Sequence, residues 1–551
     1  MLHLRPIFCA VCMCITLSAC QTQQIKAPKD NAAETTSTSD ISRTIVESDT
    51  LASPPAEGDW DCSISEFGAQ NYRLSDNTDL WSRIRNGYGF EEIDHARVQT
   101  YIEWYQKHPT YIERVGERGS LYLHYIVERM EEEGLPTELA LLPIVESAFD
   151  PFAYSHGRAA GIWQFIPSTG KSYGLEQNWW YDGRRDIVES TEAAIKYLKY
   201  LNKFFDGNWL HSLAAYNSGE GTVKRAKQRN EKLGKSIDYW SLRLPNETAA
   251  YVPQLIALSK IVADPEKYGL ELPTIINAPY FEIVEVGSQI DLSQAAELAD
   301  ISINELYRIN PGYNRWATDP KGHHSLLIPA EKIALFNENL AALPQDQRVG
   351  WERYTIASGD SLITIAKKFN TDVATLKATN NLKNNTIRAG DALIIPVAKS
   401  PANQYTQSQS QRISRKQNTS PTTNTQKIVY TTQQGDSFWS IAKKYRVGVR
   451  ELAKWNGLAP TDPLQINQKL TIWSKSTSTS NISIPQTTLA DNATVRKVSY
   501  KVKKGDSLAL IAQKFNLSVQ QIKNWNSGYA AKKYLQPGDL LTLFVNVTNL
   551  H

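Results

Sequence analysis

Residues 141–165 read LLPIVESAFDPFAYSHGRAAGIWQF, and the rest of the chain is best understood outward from them. An apolar run from Leu141 to Val145 ends on a carboxylate, Glu146, with no obvious cationic partner nearby in sequence. A carboxyl group held against apolar surface loses solvation of its charged form, so its pKa rises. That is how a general acid becomes usable near neutral pH. The same pattern also fits a glutamate that caps or salt-bridges a helix. Pro151 disfavours helical geometry at Asp150, which puts Glu146 near a helix end, where a chain reversal can open a cleft. Gly157, Gly161 and Gly170 follow, with Trp163-Gln164-Phe165 after the second of them. Glycine lets backbone approach a ligand closely, and an aromatic beside an amide suits a sugar ring as well as it suits a core.

Around this stretch, residues 60–272 carry apolar and aromatic residues at helical spacing, as in EEIDHARVQTYIEWYQKHP and YLHYIVERMEEEGLP. Gly134 and Pro136 punctuate a boundary. The expectation is an N-terminal helical region at 60–130 and an all-α domain at 131–272. A chain of 551 residues is too long for one core. A formal net charge of +3 argues against a dedicated nucleic-acid surface.

The N-terminus reads MLHLRPIFCAVCMCITLSAC. Arg5 precedes an apolar segment from Pro6 to Leu17, too short for a usual membrane-spanning helix, which is the layout of a signal peptide over residues 1–19. Leu17-Ser18-Ala19-Cys20 resembles the bacterial lipobox, which implies lipidation of Cys20 and an acyl anchor in a membrane. A plain secretory signal with an incidental cysteine is the alternative. Gln21 stands where an inner-membrane retention signal would usually place Asp, and this resemblance implies an outer-membrane lipoprotein facing the periplasm of a Gram-negative bacterium. Residues 20–58, polar and almost without aromatics, read as a flexible tether. Cys9, Cys12 and Cys14 fall in the removed segment, so Cys62 is left alone with no disulfide partner.

The C-terminal half repeats. YTIASGDSLITIAKKFNTDVATLKATNNL begins at Tyr354, YTTQQGDSFWSIAKKYRVGVRELAKWNGL at Tyr430 and YKVKKGDSLALIAQKFNLSVQQIKNWNSG at Tyr500. Each has a short extended segment, then Gly-Asp-Ser, then a helix pattern. Leu362, Ile365, Ala366 and Phe369 form one apolar face, repeated by Phe438, Ile441, Ala442 and Tyr445 and by Leu508, Ile511, Ala512 and Phe515. Asp360, Asp436 and Asp506 stand where helix N-caps belong. Polar tracts at 398–427 and 474–495 read as linkers, which leaves units at 353–397, 429–473 and 499–545 as separate beads. Asn467-Gln468 replaces the Gly-Asp pair of the other two (Gly390-Asp391, Gly538-Asp539), which puts the last turn of the second unit in doubt. Residues 279–330 have the same rhythm without Gly-Asp-Ser.

These repeats resemble the LysM domain, a small βααβ module that binds N-acetylglucosamine-containing polymers; protein–protein contact is the alternative use. Leu142, Glu146-Ser147, Pro151, Ser155, Gly161-Ile162-Trp163-Gln164-Phe165 and Gly170 resemble the signature of the lysozyme-like soluble lytic transglycosylase catalytic domain. Ala215-Tyr216-Asn217 with Gly219, and Glu247-Thr248 with Tyr251-Val252, resemble its later elements. The fold implied is multidomain: a mainly α lysozyme-like catalytic domain followed by small α+β (βααβ) LysM modules on flexible linkers, with a degenerate module at 279–330. The activity implied is water-free cleavage of peptidoglycan glycan strands by Glu146 alone, leaving 1,6-anhydro ends. Tyr216 would orient Glu146 or the sugar, Gln164 and Asn217 would bond substrate polar groups, Ser155 would also bind substrate, and Tyr251 would form a wall or serve structure. A lysozyme-type hydrolase and a non-catalytic wall-binding lipoprotein remain open. Asp150 is a candidate second carboxylate, Glu220 and Glu247 are others, and Asp182, Asp186, Glu189 and Glu192 read as solvated or capping charges. No metal-ligand or phosphate motif is present, so no metal and no cofactor are expected.

Overall fold

The computed structural model describes residues 79–422, 425–475 and, with short gaps, 495–546. The signal-like segment, Cys20, Cys62 and most of the tract at 474–495 lie outside the described residues.

From residue 79 to about 270 the described chain is helical, in order α1 (Leu80–Asn86), α2 (Ala96–Lys107), α3 (Pro109–Gly119), α4 (Leu123–Glu132), α5 (Leu142–Ser147), α6 (Pro167–Ser172), α7 (Ile187–Phe204), α8 (Trp209–Ser218), α9 (Glu220–Lys232) and α10 (Asn246–Ala263). Side-chain oxygens start several of these by accepting orphan backbone N–H groups: Asp79 for α1, Asp186 for α7 and Asn208 for α8. Helix α10 is apolar around most of its circumference, with Ala250, Val252, Leu255, Ala257, Leu258, Ile261 and Val262 all buried. Such a helix belongs inside a domain, and α2, α5 and α8 pack around it. Truncating Leu255 to alanine there would cost about 2–5 kcal/mol. Pro253, inside α10, has no N–H for the Ala249 carbonyl; the Tyr239 hydroxyl donates to that oxygen instead, at 3.1 Å.

The next unit runs β1 (Phe281–Glu285), α11 (Leu292–Ala299), α12 (Ile303–Ile309), β2 (Ser325–Pro329) and α13 (Ile333–Ala342), with β1 and β2 antiparallel. The expected boundary at 330 falls short of α13, whose Phe336 and Leu340 are buried in the same core as Leu292, Ala295 and Leu306. Three βααβ units follow: β3 (Gly350–Thr355), α14 (Leu362–Lys368), α15 (Val373–Thr379) and β4 (Ala392–Val397); then, after α16 (Gln409–Asn418), β5 (Thr425–Thr431), α17 (Phe438–Tyr445), α18 (Val449–Trp455) and β6 (Lys469–Lys475); then β7 (Val495–Lys501), α19 (Leu508–Lys514), α20 (Val519–Trp525) and β8 (Leu540–Asn546). Each unit pairs its two strands antiparallel and closes a small core on them, in the first case Ile356, Leu362, Ile365, Ala366, Leu376, Leu393 and Ile395.

One asparagine ties helix to strand in every unit, buried in all but the first repeat. Asn380, Asn456 and Asn526 each donate to and accept from a backbone residue of the closing strand (Ile394, Thr471 and Thr542), and Asn310 does the same to Leu327. The unit that lacks Gly-Asp-Ser is therefore built like the others.

Two expectations for the repeats are corrected. The N-caps of α14 and α17 are Ser361 and Ser437, each in a reciprocal box with Thr364 or Ser440, and Ser507 accepts from the Leu510 amide likewise. The preceding aspartates do other work: Asp360, Asp436 and Asp506 accept the hydroxyl protons of Tyr354, Tyr430 and Tyr500, latching the first strand. The last turn of the second unit is also intact. Asn467 takes φ 63° where Gly390 and Gly538 take 95° and 102°, a left-handed conformation that asparagine tolerates better than most residues. Gln468 accepts from the Gln465 amide as Asp539 accepts from Gln536.

The tract at 398–422 joins two units, as its composition implies, but it is folded, not a flexible linker. Tyr405 is buried and donates to Asp291 Oδ2 at 2.7 Å. The Lys399 amide donates to the same oxygen, and α16 packs on α18. One buried aromatic and one buried carboxylate suffice to seat a stretch that composition alone makes look unstructured.

Candidate active site

Helix α5 is short because the chain reverses directly after it. Ala148 and Phe149 both take positive φ, 51° and 55°, so the stop precedes Asp150-Pro151 and comes from a left-handed pair rather than from the proline. Leu142, Ile144 and Val145 are buried, and Glu146 is half-buried at the helix end. Its carboxyl group lies beside α10, from which Tyr251 donates its hydroxyl to Glu146 Oε1 at 2.5 Å. Burial pushes the Glu146 pKa up to about 8; the Tyr251 bond pulls it down and the charge of Glu247 pushes it further up. The expected effect of apolar surroundings on this carboxylate is present.

Tyr251 and Glu247 are four residues apart on α10, so both face the end of α5. Thr248, between them, is buried and donates to Asn217 Oδ1 at 2.8 Å, which fixes the amide of Asn217 at the end of α8. Tyr216 is half-buried, and its titration is raised by burial first and by Glu146 second, which places its ring near the acid. Its hydroxyl, however, donates to the Trp163 carbonyl at 3.0 Å. The hydrogen bond to Glu146 thus comes from Tyr251, expected only as a wall or structural residue, while Tyr216, expected to orient Glu146 or the sugar, spends its hydroxyl on Trp163. No regular pattern in sequence separates those two tyrosines; only the crossing of α10 over α5 does.

The loop from Ala153 to Phe165 folds on itself through bridges from Tyr154 to Ala160 and from Ala160 to Phe165. Ser155 Oγ accepts from the amides of Gly157 and Ala159, so its oxygen staples the loop tip. Gln164 takes φ 50° and donates from Nε2 to the Gly161 carbonyl at 2.7 Å. Trp163 is fully buried, with Nε1 on Thr191 Oγ1, and is core rather than a sugar platform. Gly161 serves packing, not a ligand: a Cβ there would meet the Arg184 carbonyl oxygen at 2.0 Å. Ser147 donates to the Pro143 and Ile162 carbonyls, tying α5 to this loop.

Asp182, Asp186, Glu192 and Asp150 have structural partners. Asp182 is buried, not solvated; burial works against its charge, but Arg185 and Arg184 hold its pKa below the ordinary value. Asp186 caps α7, Glu192 pairs with Arg129 at 2.6 Å, and Asp150 accepts from the Phe152 amide. Glu220 opens α9. Of the candidates for a second carboxylate, Glu247 is the one whose charge is felt at Glu146. Among the described residues no group of three His, Cys, Asp or Glu side chains is arranged to hold a metal, and no helix is long and apolar enough to cross a membrane.

Comparison with known proteins adds three family matches. Residues 125–239 match the transglycosylase SLT domain, residues 280–345 the LysM-like domain of lytic transglycosylase MltD, and residues 354–396, 430–473 and 500–544 the LysM domain. The chain is 35% identical over 431 residues to the membrane-bound lytic murein transglycosylase D of Escherichia coli strain K12, covering 75% of this chain and 90% of that one. It is also 30% identical over 202 residues to the N-acetylmuramoyl-L-alanine amidase sle1 of Staphylococcus epidermidis, covering 37% of this chain and 54% of that one.

Proposed function

The chain belongs to the family of membrane-bound lytic murein transglycosylase D, and from that we propose that it cleaves peptidoglycan glycan strands without water, with Glu146 as both acid and base. The protonated carboxyl group gives its proton to the oxygen bridging N-acetylmuramic acid and N-acetylglucosamine. The bond from carbon 1 to that oxygen breaks, and the N-acetyl oxygen of the muramic sugar stabilises the cationic carbon. The carboxylate then takes the proton of the same sugar's 6-hydroxyl as that oxygen bonds carbon 1. The products are a 1,6-anhydro end and a free 4-hydroxyl, and Glu146 is protonated again.

The single observation behind this reading is the state of Glu146: half-buried, held through one oxygen by Tyr251, with its pKa pushed up to about 8. A group poised there can both give and take a proton near neutrality. A positioned acid–base group is worth roughly 10²–10⁴ in rate. Tyr251 fixes the carboxyl orientation; Asn217, held by Thr248, and Gln164 present amides to substrate polar groups; Tyr216 lies against the reacting sugar, and Ser155 shapes the loop beside it. The LysM units bind glycan and keep the catalytic domain on the polymer, the linked sites gaining avidity through effective concentration. The enzyme works in the periplasm in association with a membrane, and lipidation of Cys20 would hold it at the outer membrane.

Digestion of sacculi in ¹⁸O-labelled water tests the reaction. Anhydro ends free of ¹⁸O support it; reducing ends carrying ¹⁸O would make the enzyme a hydrolase, and uncleaved strands would leave only a binding protein.

A further inference from the structure

The loop that runs from Glu146 to Gln164 is gripped from outside the helical domain. Asp462, in the second LysM unit between α18 and β6, lies with Oδ1 2.7 Å from Arg158 Nε and accepts the Tyr154 hydroxyl proton on Oδ2 at 3.1 Å. The arginine contact is an ion pair rather than an aligned hydrogen bond. Only 9% of the Asp462 side chain is exposed. A carboxylate so covered is costly unless paired, and here the partners are two loop residues and the Ala459 amide of its own turn, 2.8 Å from Oδ2.

The grip has a second point. Arg412 of α16 sits 4.4 Å from the ring centroid of Phe152, just ahead of the Tyr154–Ala160 turn. Helix α16 is in turn fastened to the second LysM unit by Gln417, whose Nε2 donates to Asn456 Oδ1 at 2.9 Å. Linker helix and LysM unit therefore press on the loop as one piece. The two residues that Asp462 holds bracket Ser155, and the bridges from Tyr154 to Ala160 and on to Phe165 carry that turn into Gln164. Arg158 itself takes φ 69°, a conformation that L residues adopt at a cost and keep only where the surroundings impose it.

We propose that Asp462 is a positioning residue for the cleavage site: the second LysM unit sets the shape of the substrate-facing turn around Ser155, so a wall-binding module and the catalytic loop act as one body. This rests on the reading of Glu146 as the acid, since only then does the loop face substrate.

The test is a double-mutant cycle in the full chain, Asp462→Asn with Arg158→Gln. Asparagine keeps an acceptor for the Ala459 amide and removes the charge. Asp462→Asn is expected to raise KM on isolated glycan strands about tenfold with kcat within about twofold, because a charge-assisted contact is lost at a distance from the reacting atoms. Binding to intact wall should stay unchanged, and the amides of residues 154–160 should exchange with solvent about tenfold faster. Arg158→Gln should do the same, and the double variant should be no worse than either single one, as coupled partners require. Additive effects would mean that Asp462 acts only within its own module and would overturn the proposal. So would unchanged KM and exchange, and so would faster cleavage by Asp462→Asn, which would make the docked unit a brake. The exchange arm reads the contact without activity, so a wild-type enzyme giving no anhydro ends would sink the acid reading and leave this arm to be decided separately.

Discussion

Tyr251 on α10 donates its hydroxyl to Glu146 Oε1 at 2.5 Å, joining residues 105 apart in sequence. The bond engages one carboxyl oxygen, Oε1; in the proposed reaction Oε2 would carry the transferable proton. It also favours the charged form, so it moderates a pKa that burial drives up to about 8. The site balances a partner that lowers the value against burial and the Glu247 charge, which raise it.

Removing the lowering partner shifts that balance in a known direction. Tyr251→Phe takes away a donor to the carboxylate, so the Glu146 pKa rises above about 8 and the alkaline limb of kcat/KM moves to higher pH. The carboxyl group also loses its tether, and kcat should fall roughly 10- to 100-fold. A pH–rate profile checks both; an unmoved limb would mean that the bond does not tune the acid.

Glu247→Gln should do the opposite. Its charge raises the Glu146 pKa, so neutralising it lowers the alkaline limb while cleavage continues. Complete loss of cleavage in this variant, with the fold intact, would point to a second indispensable carboxylate and to hydrolysis.

Stability should follow pH through the same residue. Glu146 has a folded pKa of about 8 against an ordinary glutamate value of 4.5, so between these values the folded state holds a proton that the unfolded state has lost. Its contribution to stability therefore falls as pH rises from about 4.5 through 8. Glu146→Gln removes this dependence, so the variant should gain on the wild type at pH 9 relative to pH 5, on the order of 2 kcal/mol after allowance for partial exposure. Thermal unfolding at the two pH values measures it; an equal difference at both would mean an unshifted carboxyl group.

In the repeats, the helix cap and the last turn can be separated. Ser437→Ala removes the side-chain acceptor at the start of α17 and should destabilise the second LysM unit by about 1 kcal/mol. Asn467→Gly, at a left-handed position, should be close to neutral. Chemical denaturation of the full chain, followed by the fluorescence of Trp439 and Trp473 against variants of those residues, reads both.

Much of the fold is legible because it is written in period and punctuation. The apolar faces of the repeats, such as Phe438, Ile441 and Ala442, are buried as their spacing implies. Gly-Asp-Ser marks each first helix, although the serine and not the aspartate is its cap, a one-residue ambiguity that composition cannot resolve. The raised pKa of Glu146 is legible because an apolar run ending on that residue describes its own burial. What sequence does not carry is the crossing of distant elements. Nothing local distinguishes Tyr251 from Tyr216 as the partner of Glu146, or marks Asp462 as a contact of Tyr154 and Arg158 from more than 300 residues away. The tract at 398–422 misleads for a related reason: a single Tyr405 seated on Asp291 outweighs a composition that otherwise reads as linker.

Whether Glu146 gives and reclaims the proton is read most directly by mass spectrometry of sacculi treated with the Glu146→Gln variant. It should retain wall binding and lose release of 1,6-anhydro ends by at least about 10²-fold against the wild type. Anhydro ends released by that variant at near wild-type rate would contradict the account.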